Sequence, residues 1–340
     1  MPTPTRPVAR ALVLLGACTL FACRPAGRTA PSTEMPRGGA EGAPADARFE
    51  GELVGRITGT EGRPFGIGVS SEGEVLVLQL DTRSASRVGP DARSVAGSVA
   101  VGDDPIDVTF TRDGRRALLT MLSGSRVHEV DVERGRTMSA VGVGSRHHRI
   151  ALSADERAYY LLSMDGEVSR VSRATSAIER TASLDAVLRG IARHPGNGTL
   201  AVAGGDAVWL LDGRTLEVRA HATVGEGTQE IVYSPDGSRL FVALEYGGTI
   251  LALDARTLGV VDSVRMTLPR LTPFGMALAD GGRSLIVSSP STGVVGVFDT
   301  RPLRVRRLVP VGGTPRRIAL SPDGRSAYVA NERGWVDIIR

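Results

Sequence analysis

Residues that can bind an anion or move a proton recur through this 340-residue chain, each one or two places before an apolar residue. The set is Asp107, His148, Arg149, Arg189, Glu230 and Arg317. A guanidinium group binds carboxylates and phosphates through paired N–H donors. We therefore predict that the five charged residues form a ligand-binding set. In an alternative, catalytic interpretation Glu230 or His148 acts as the base, with His148 titrating near neutral pH.

The same residue types also allow a purely structural interpretation. Arg149 can neutralise Asp107, and Arg317 can neutralise Glu230 or another acid, around a solvated channel. Perturbed environments cannot be read from residue types alone, so both interpretations stay open. Of the two, the structural one is favoured, because nothing in the sequence supplies an assembled nucleophile, a metal cluster or a cofactor motif.

These residues are placed by an internal repeat. Its apolar anchor positions are separated by 41, 42, 41, 40, 45 and 42 residues, and they are Ile67, Val108, Ile150, Ile191, Ile231, Met276 and Ile318. A small residue usually follows the anchor, then a large one, then a turn such as Pro322-Asp323-Gly324. A fixed period near forty with strand-like content predicts a β-propeller with one blade per repeat. The alternation of large and small is what crowding at the propeller axis requires.

Each repeat contains four alternating segments, and seven anchors predict seven blades. The last repeat is short, since only 22 residues follow Ile318. The segment 51–59 resembles the outer strand of the other repeats, so we expect it to complete the last blade. The sequence thus predicts an all-β protein over residues 49–340, a seven-bladed β-propeller with four-stranded antiparallel blades closed by an N-terminal strand.

The stretch 321–331, Ser-Pro-Asp-Gly-Arg-Ser-Ala-Tyr-Val-Ala-Asn, resembles the repeat of the bacterial YVTN-type seven-bladed propellers. The segments 312–315 and 298–300 fit the same pattern, and the resemblance covers roughly residues 50 to 340. The second and third repeats depart from it, and the fourth lacks the Asp-Gly turn. The related NHL, TolB-like and lactonase propellers carry different activities, so the resemblance implies the architecture and leaves the activity open.

Residues 1–22 read as a bacterial export signal, with Arg6 and Arg10 before an apolar run that is too short to cross a membrane. Cys23 follows Leu-Phe-Ala and is the predicted lipidation site. Cys18 is a rival that fits the cleavage box better but leaves a hydrophobic mature start. Residues 23–48 then form the lipidated cysteine and a disordered linker rich in Pro, Gly and Ala. We therefore expect a protein anchored in the cell envelope, periplasmic or on the cell surface, at the outer membrane if the cell has one.

Composition excludes several kinds of chemistry. With Cys23 lipidated, the mature chain has no other cysteine, and all 41 basic residues are arginine, so no lysine is available for Schiff-base chemistry. Scattered basic residues and 4% aromatics do not indicate a nucleic-acid surface. The adjacent pair His147 and His148 points to opposite faces of a strand and does not suit one metal ion. We expect no cofactor and no metal.

Two functions follow as hypotheses. The first is a non-enzymatic, monomeric binding module for an envelope protein, a peptide or a small anionic ligand at the channel face. The second is a lactonase-like hydrolase, in which Arg149, Arg189 and Arg317 hold an anionic lactone and Glu230 or His148 is the base. The resemblance to lactonase propellers is what suggests the second.

Overall fold

The computed structural model describes residues 48–91, 94–102, 104–144, 146–266 and 271–340. The predicted export signal, the lipidation sites Cys18 and Cys23, and all but the last residue of the predicted linker lie outside the described residues. Within the described part, 28 strands form seven four-stranded antiparallel sheets arranged as the blades of a propeller. The predicted fold class is confirmed.

The strands follow the chain in order. The chain begins with β1 (Leu53–Ile57), and the first blade comprises β2 (Pro64–Val69), β3 (Val75–Gln79), β4 (Ser84–Val88) and β5 (Val95–Ala100). The second comprises β6 (Pro105–Phe110), β7 (Arg116–Met121), β8 (Arg126–Asp131) and β9 (Arg136–Gly142). The third comprises β10 (His147–Leu152), β11 (Ala158–Ser163), β12 (Glu167–Ser172) and β13 (Ile178–Ser183). The fourth comprises β14 (Leu188–Arg193), β15 (Thr199–Gly204), β16 (Ala207–Asp212) and β17 (Val218–Thr223).

The remaining blades repeat this order. The fifth comprises β18 (Thr228–Tyr233), β19 (Arg239–Leu244), β20 (Thr249–Asp254) and β21 (Val260–Arg265). The sixth comprises β22 (Met276–Ala279), β23 (Ser284–Ser289), β24 (Val294–Thr300) and β25 (Leu303–Pro310), with a short 3₁₀ helix at Asp280–Gly282. The seventh comprises β26 (Pro315–Leu320), β27 (Ala327–Asn331), β28 (Trp335–Ile339) and β1. No helix in the described residues is long and apolar enough to cross a membrane.

We letter the strands of each blade A to D from the axis outward. The A strands of neighbouring blades contact one another around the ring, which closes where β2 meets β26. Because each blade is antiparallel, A–B and C–D turns share one face of the propeller, and D–A loops share the other. The second strands are fully buried in several blades, whereas the outermost strands are largely exposed.

The hydrophobic core lies between blades. One cluster joins Ile67 and Val77 of the first blade to Tyr328 and Val336 of the seventh. Small residues of the inner strands sit where neighbouring blades come closest: a Cβ added at Gly68 would lie 2.8 Å from a methyl carbon of Val108. The predicted crowding at the axis is therefore present in the structure.

The A–B turns are built from recurring local hydrogen bonds. In the last blade the Ser321 hydroxyl donates to Asp323 at 2.5 Å, the Arg325 N–H donates to the same carboxylate at 3.0 Å, and Gly324 takes a φ of +68°. The fifth blade repeats the bond from Ser234 to Asp236. Polar turn residues therefore satisfy the turn backbone, which explains why they mark the period in the sequence.

The ring is closed by pairing the two ends of the propeller. β1 pairs antiparallel with β28, and Ile57 lies opposite Val336. Beyond the strand, the Glu52 N–H donates to the Arg340 carbonyl at 2.7 Å, and the Arg340 N–H donates to the Glu52 carbonyl at 2.9 Å. The predicted closure by the segment 51–59 is confirmed.

This closure makes a prediction about stability. Ile57 is fully buried between the seventh and first blades, whereas Val54 on the same strand is 45% exposed. Ile57→Ala should lower the free energy of unfolding by about 2–5 kcal/mol, because it leaves a cavity at the seam. Val54→Ala is the matched control and should change it by less than about 0.5 kcal/mol. Urea denaturation measures both, and equal losses would contradict a stabilising role for the seam.

Candidate functional site

Four charged residues from different blades meet at the propeller axis. We call them the ionic ring; they are Asp107, Arg149, Glu230 and Arg317. Arg149 donates from Nη1 to Asp107 at 3.4 Å and from Nη2 to Glu230 at 2.5 Å. Arg317 donates from Nη1 to the other oxygen of Glu230. Glu230, Arg149 and Arg317 are buried, and Asp107 also accepts the Ile150 N–H at 3.0 Å.

The other three blades contribute glycine at the same position: Gly66, Gly190 and Gly275. A Cβ at Gly66 would lie 2.5 Å from the Ile106 carbonyl oxygen, and one at Gly275 would lie 2.5 Å from the Arg316 carbonyl oxygen. Real side chains do not fit at such distances. At these two positions glycine lets the neighbouring inner strand approach, whereas a Cβ at Gly190 would lie 3.1 Å from the Ile231 nitrogen. Four of the seven positions carry a charged group.

A second ring lies one residue earlier in each repeat, at Phe65, Ile106, His148, Arg189, Gln229, Phe274 and Arg316. In the third, fourth and fifth blades the A–B register shifts at this residue, as it does between His147 and Arg149. The extra residue of such a bulge leaves the ladder and redirects its side chain. Both rings can therefore turn side chains toward the channel.

On one side of the second ring, two phenylalanines and an arginine pack against one another. Phe65 and Phe274 contact edge to face with their centroids 5.7 Å apart. The Arg316 guanidinium lies 4.9 Å from the Phe274 centroid and 5.3 Å from the Phe65 centroid, and its Nε donates to Glu332 at 2.6 Å. Arg317 also stacks on Phe274, at 5.1 Å. These cation–π contacts fix the arginines at the axis.

His148 is buried in the second ring. Neither of its ring nitrogens has a hydrogen-bond partner among the described residues. Burial, followed by the positive charges of Arg149, Arg317 and Arg189, lowers the pKa of His148 to about 3. The expectation that His148 titrates near neutral pH is wrong, because the sequence shows neither the depth of the side chain nor the three cations around it.

An axial cavity of about 660 Å³ runs from the ionic ring to the A–B turns. Its walls contain aliphatic side chains of the inner strands, including Ile67, Ile150, Leu152, Ile191, Ile231 and Met276, and also the charged residues Arg112, Glu156 and Arg193. Turn residues such as Ser153 and Pro235 line its other end. The ionic ring therefore forms the inner end of a cavity that extends to the A–B turn face, not a mouth on the D–A loop face.

The predicted site residues separate into two groups. Asp107, Arg149, Glu230 and Arg317 line the cavity, and the predicted pairing of Arg149 with Asp107 and of Arg317 with Glu230 is present. Arg189 is half-buried in the second ring with His148, and neither lines the cavity. Within the described chain, no group of three or more His, Cys, Asp or Glu residues is placed to hold a metal ion.

Tyr233 and Arg193 line the cavity but are not among the site residues predicted from the sequence. Both occupy the position two places after an anchor, and both line the cavity. The Tyr233 side chain packs edge to face on His194 at 5.0 Å, its hydroxyl has no partner among the described residues, and burial raises the pKa of that hydroxyl. The sequence could have identified them, because they carry polar groups at a repeat position that is apolar in most of the other repeats.

Comparison with known proteins supports the fold alone. No protein-family model matches the chain, and no curated protein matches it. A chain of Kuenenia stuttgartiensis hydrazine synthase is similar with a TM-score of 0.73 and 21% identity, covering 84% of this chain and 97% of that one. The β-propeller domain of Cps50 (Swd1) from Myceliophteria thermophila is similar with a TM-score of 0.73 and 14% identity, covering 85% of this chain and 98% of its own. At such identities the site is not transferred.

The burial of His148 predicts that the free energy of unfolding depends on pH. Below pH about 6.5 the unfolded chain protonates this residue, whereas the folded protein does so only near pH 3. The unfolded state thus binds more protons in that window, and stability should fall as the pH drops from 6.5 toward 3, by up to about 1.4 kcal/mol per unit.

Urea unfolding of the wild type and of His148→Gln between pH 4 and 7 isolates this contribution from that of the carboxylates. The variant should show the shallower pH dependence. His221→Gln, at an exposed position on β17, is the control and should follow the wild type. Parallel curves for wild type and His148→Gln would contradict the assignment.

Proposed function

We propose that this protein is a non-enzymatic binding protein that takes a small ligand into its axial cavity from the A–B turn face. The observation that carries the proposal is the cavity itself, which has both aliphatic and charged residues in its walls and the ionic ring at its inner end. Its volume falls within the range of small-molecule sites, about 300–1,000 Å³. The propeller supplies a scaffold for the cavity, since the inner strands that form most of its wall are hydrogen-bonded within their own blades and packed against the inner strands of neighbouring blades.

The state of the ionic groups favours binding over the hydrolase alternative. A general base needs a free lone pair within reach of the substrate. Both oxygens of Glu230 accept hydrogen bonds from guanidinium groups, and His148 does not line the cavity. Of the two residues assigned as the base, Glu230 therefore has both oxygens engaged, and His148 is not part of the cavity wall.

We further propose that the protein is an exported, lipid-anchored propeller of the YVTN type. Support for export and lipidation comes from the sequence of residues 1–23, in which Arg6 and Arg10 precede a short apolar run and Cys23 follows it. Support for the propeller type comes from the repeat pattern of residues 321–331.

Filling the cavity tests the binding proposal. Ala192 lies in the cavity wall, whereas Ala140 is exposed on the outer strand β9. The neutral dye Nile red should gain fluorescence with the wild type and with Ala140→Phe. Ala192→Phe should weaken its binding at least tenfold, because the added ring occupies the same space. Equal binding by both variants would place the dye elsewhere and contradict the proposal.

Fractionation tests the anchor. The full chain should sediment with membranes and carry a mass increase for acyl chains on Cys23. Cys23→Ser should release the protein to the soluble fraction, since a buried acyl chain contributes about 0.8 kcal/mol per CH₂. Cys18→Ser should remain membrane-bound. The opposite pattern would assign lipidation to Cys18, and release of neither would remove the lipoprotein proposal.

A further inference from the structure

Loops of the third, fourth and fifth blades form a continuous surface on the face opposite the A–B turns. B–C turns and D–A loops share that face, because each blade is antiparallel. Each loop donates a backbone N–H to a carbonyl of the loop before it. The bonds run from Leu184 to Gly166 at 2.7 Å, from Gly205 to Val187 at 3.2 Å, from Gly227 to Gly205 at 2.9 Å and from Glu245 to Gly227 at 2.8 Å. We call this surface the loop ridge; it comprises residues 164–166, 184–187, 205–206, 225–227 and 245–248.

Large apolar side chains are exposed along the loop ridge. Met164 is 42% exposed, Val187 is 47% exposed, and Tyr246 is 64% exposed. The Tyr246 ring lies against Gly227, where an added Cβ would come 2.8 Å from the ring carbon Cδ2. Glycine therefore leaves the place on which this ring rests. Exposed apolar side chains that stand together within a polar rim mark a site of contact with another molecule.

Five carboxylates accompany these apolar side chains, and none has an ion pair or a side-chain hydrogen bond among the described residues. Four of them are exposed and the last is half-buried; they are Asp165, Asp185, Asp206, Glu226 and Glu245. Carboxylates elsewhere on the surface differ in this respect. Asp131, Asp212 and Asp236 each pair with an arginine. The loop ridge therefore presents negative charge that the protein itself does not neutralise.

The sign of this charge limits the kind of partner. The loop ridge contains no basic residue, and the arginines that border it are Arg146, Arg189 and Arg265. Even with all three counted, five carboxylates stand against three arginines. The whole chain, in contrast, has a net charge of +4. A nucleic acid or an anionic lipid surface is repelled by the loop ridge, whereas a cationic partner is attracted to it.

We propose that the loop ridge docks a polypeptide segment that carries lysine or arginine side chains beside apolar ones. The apolar side chains of the segment pack on Met164, Val187 and Tyr246, and its cationic groups pair with the five carboxylates. Burial of apolar surface supplies the affinity, whereas the carboxylates steer the segment and select its charge. The loop ridge is separate from the axial cavity, which extends to the opposite, A–B turn face.

Three fluorescently labelled peptides of equal length test the proposal, with the repeats Lys-Ser-Leu, Glu-Ser-Leu and Lys-Ser-Ser. Each is titrated with the full-length protein at pH 7, and fluorescence anisotropy reports binding. The Lys-Ser-Leu peptide should bind at least about tenfold more tightly than either of the others, because it alone matches both the charge and the apolar side chains. Its affinity should fall between about 50 mM and 500 mM salt, since exposed charges are screened.

Variants of the loop ridge assign the binding to this surface. Asp206→Asn combined with Glu226→Gln removes two of the unpaired carboxylates and should weaken binding of the Lys-Ser-Leu peptide at least about fivefold. Tyr246→Ser removes the most exposed apolar side chain and should weaken it by a similar factor. All three side chains are exposed, so the melting temperatures should match that of the wild type.

Matched controls carry the same kinds of change elsewhere. Glu72→Gln combined with Glu133→Gln removes two exposed carboxylates from the A–B turn face. Val260→Ser replaces an apolar side chain that is 57% exposed on the outer strand β21. Both controls should bind the Lys-Ser-Leu peptide within about twofold of the wild type.

Several outcomes would overturn the inference. Equal binding of the three peptides, or tighter binding of the Glu-Ser-Leu peptide, contradicts the proposed partner. Affinity that is unchanged in the loop ridge variants places the peptide elsewhere. A dimer in sedimentation that dissociates with Tyr246→Ser assigns the surface to a second copy of this chain. Ala192→Phe should leave peptide binding unchanged, and its loss would place the peptide in the cavity; Nile red reports on the cavity proposal alone.

Discussion

The structure depends on the close approach of seven inner strands around one axis. At Gly66 and Gly275 the neighbouring backbone lies 2.5 Å from where a Cβ would be, so no side chain is possible there. Crowding of this kind explains why small residues recur in the repeat. It is also the reason that glycine is found at Gly66 and Gly275, where other repeats have a charged residue before the anchor. It also explains why residues far apart in sequence meet: each repeat delivers the same strand position to the same height along the axis.

Closure at one end follows from this geometry. Bulges lie at Phe65 and Arg316, and these two residues stack with Phe274, which precedes β22, beside Arg317 of the ionic ring. On the A–B turn side the same strands present aliphatic side chains and leave space between them. The cavity is thus the volume that the side chains of the inner strands leave unfilled between the ionic ring and the A–B turns.

Ion pairs buried at the end of a channel contribute little net free energy to stability. Desolvation offsets much of the attraction between the partners, and apolar residues of similar volume are often equally stable. The pairing of Arg149 and Arg317 with a shared Glu230 is therefore weak evidence for a stabilising role alone. Its position at the end of a cavity gives it a second physical consequence, because it sets the charge that any ligand meets. Structural likeness at 21% and 14% identity does not extend to these residues, since the fold fixes strand positions and not their chemistry.

The sequence by itself determined the period, the turns, the seven blades and the strand that closes the last one, because these depend on residue size and turn chemistry that repeat locally. It also indicated that Asp107, Arg149, Glu230 and Arg317 lie at one height and allowed Arg149 to pair with Asp107 and Arg317 with Glu230 or another acid, since equivalent repeat positions share one height. Only the tertiary structure decided which face the cavity reaches, that Arg189 and His148 stand behind the ionic ring, and that the pKa of His148 falls to about 3. Those properties depend on how bulges redirect side chains and on burial by other blades, and neither is encoded in the spacing of one repeat.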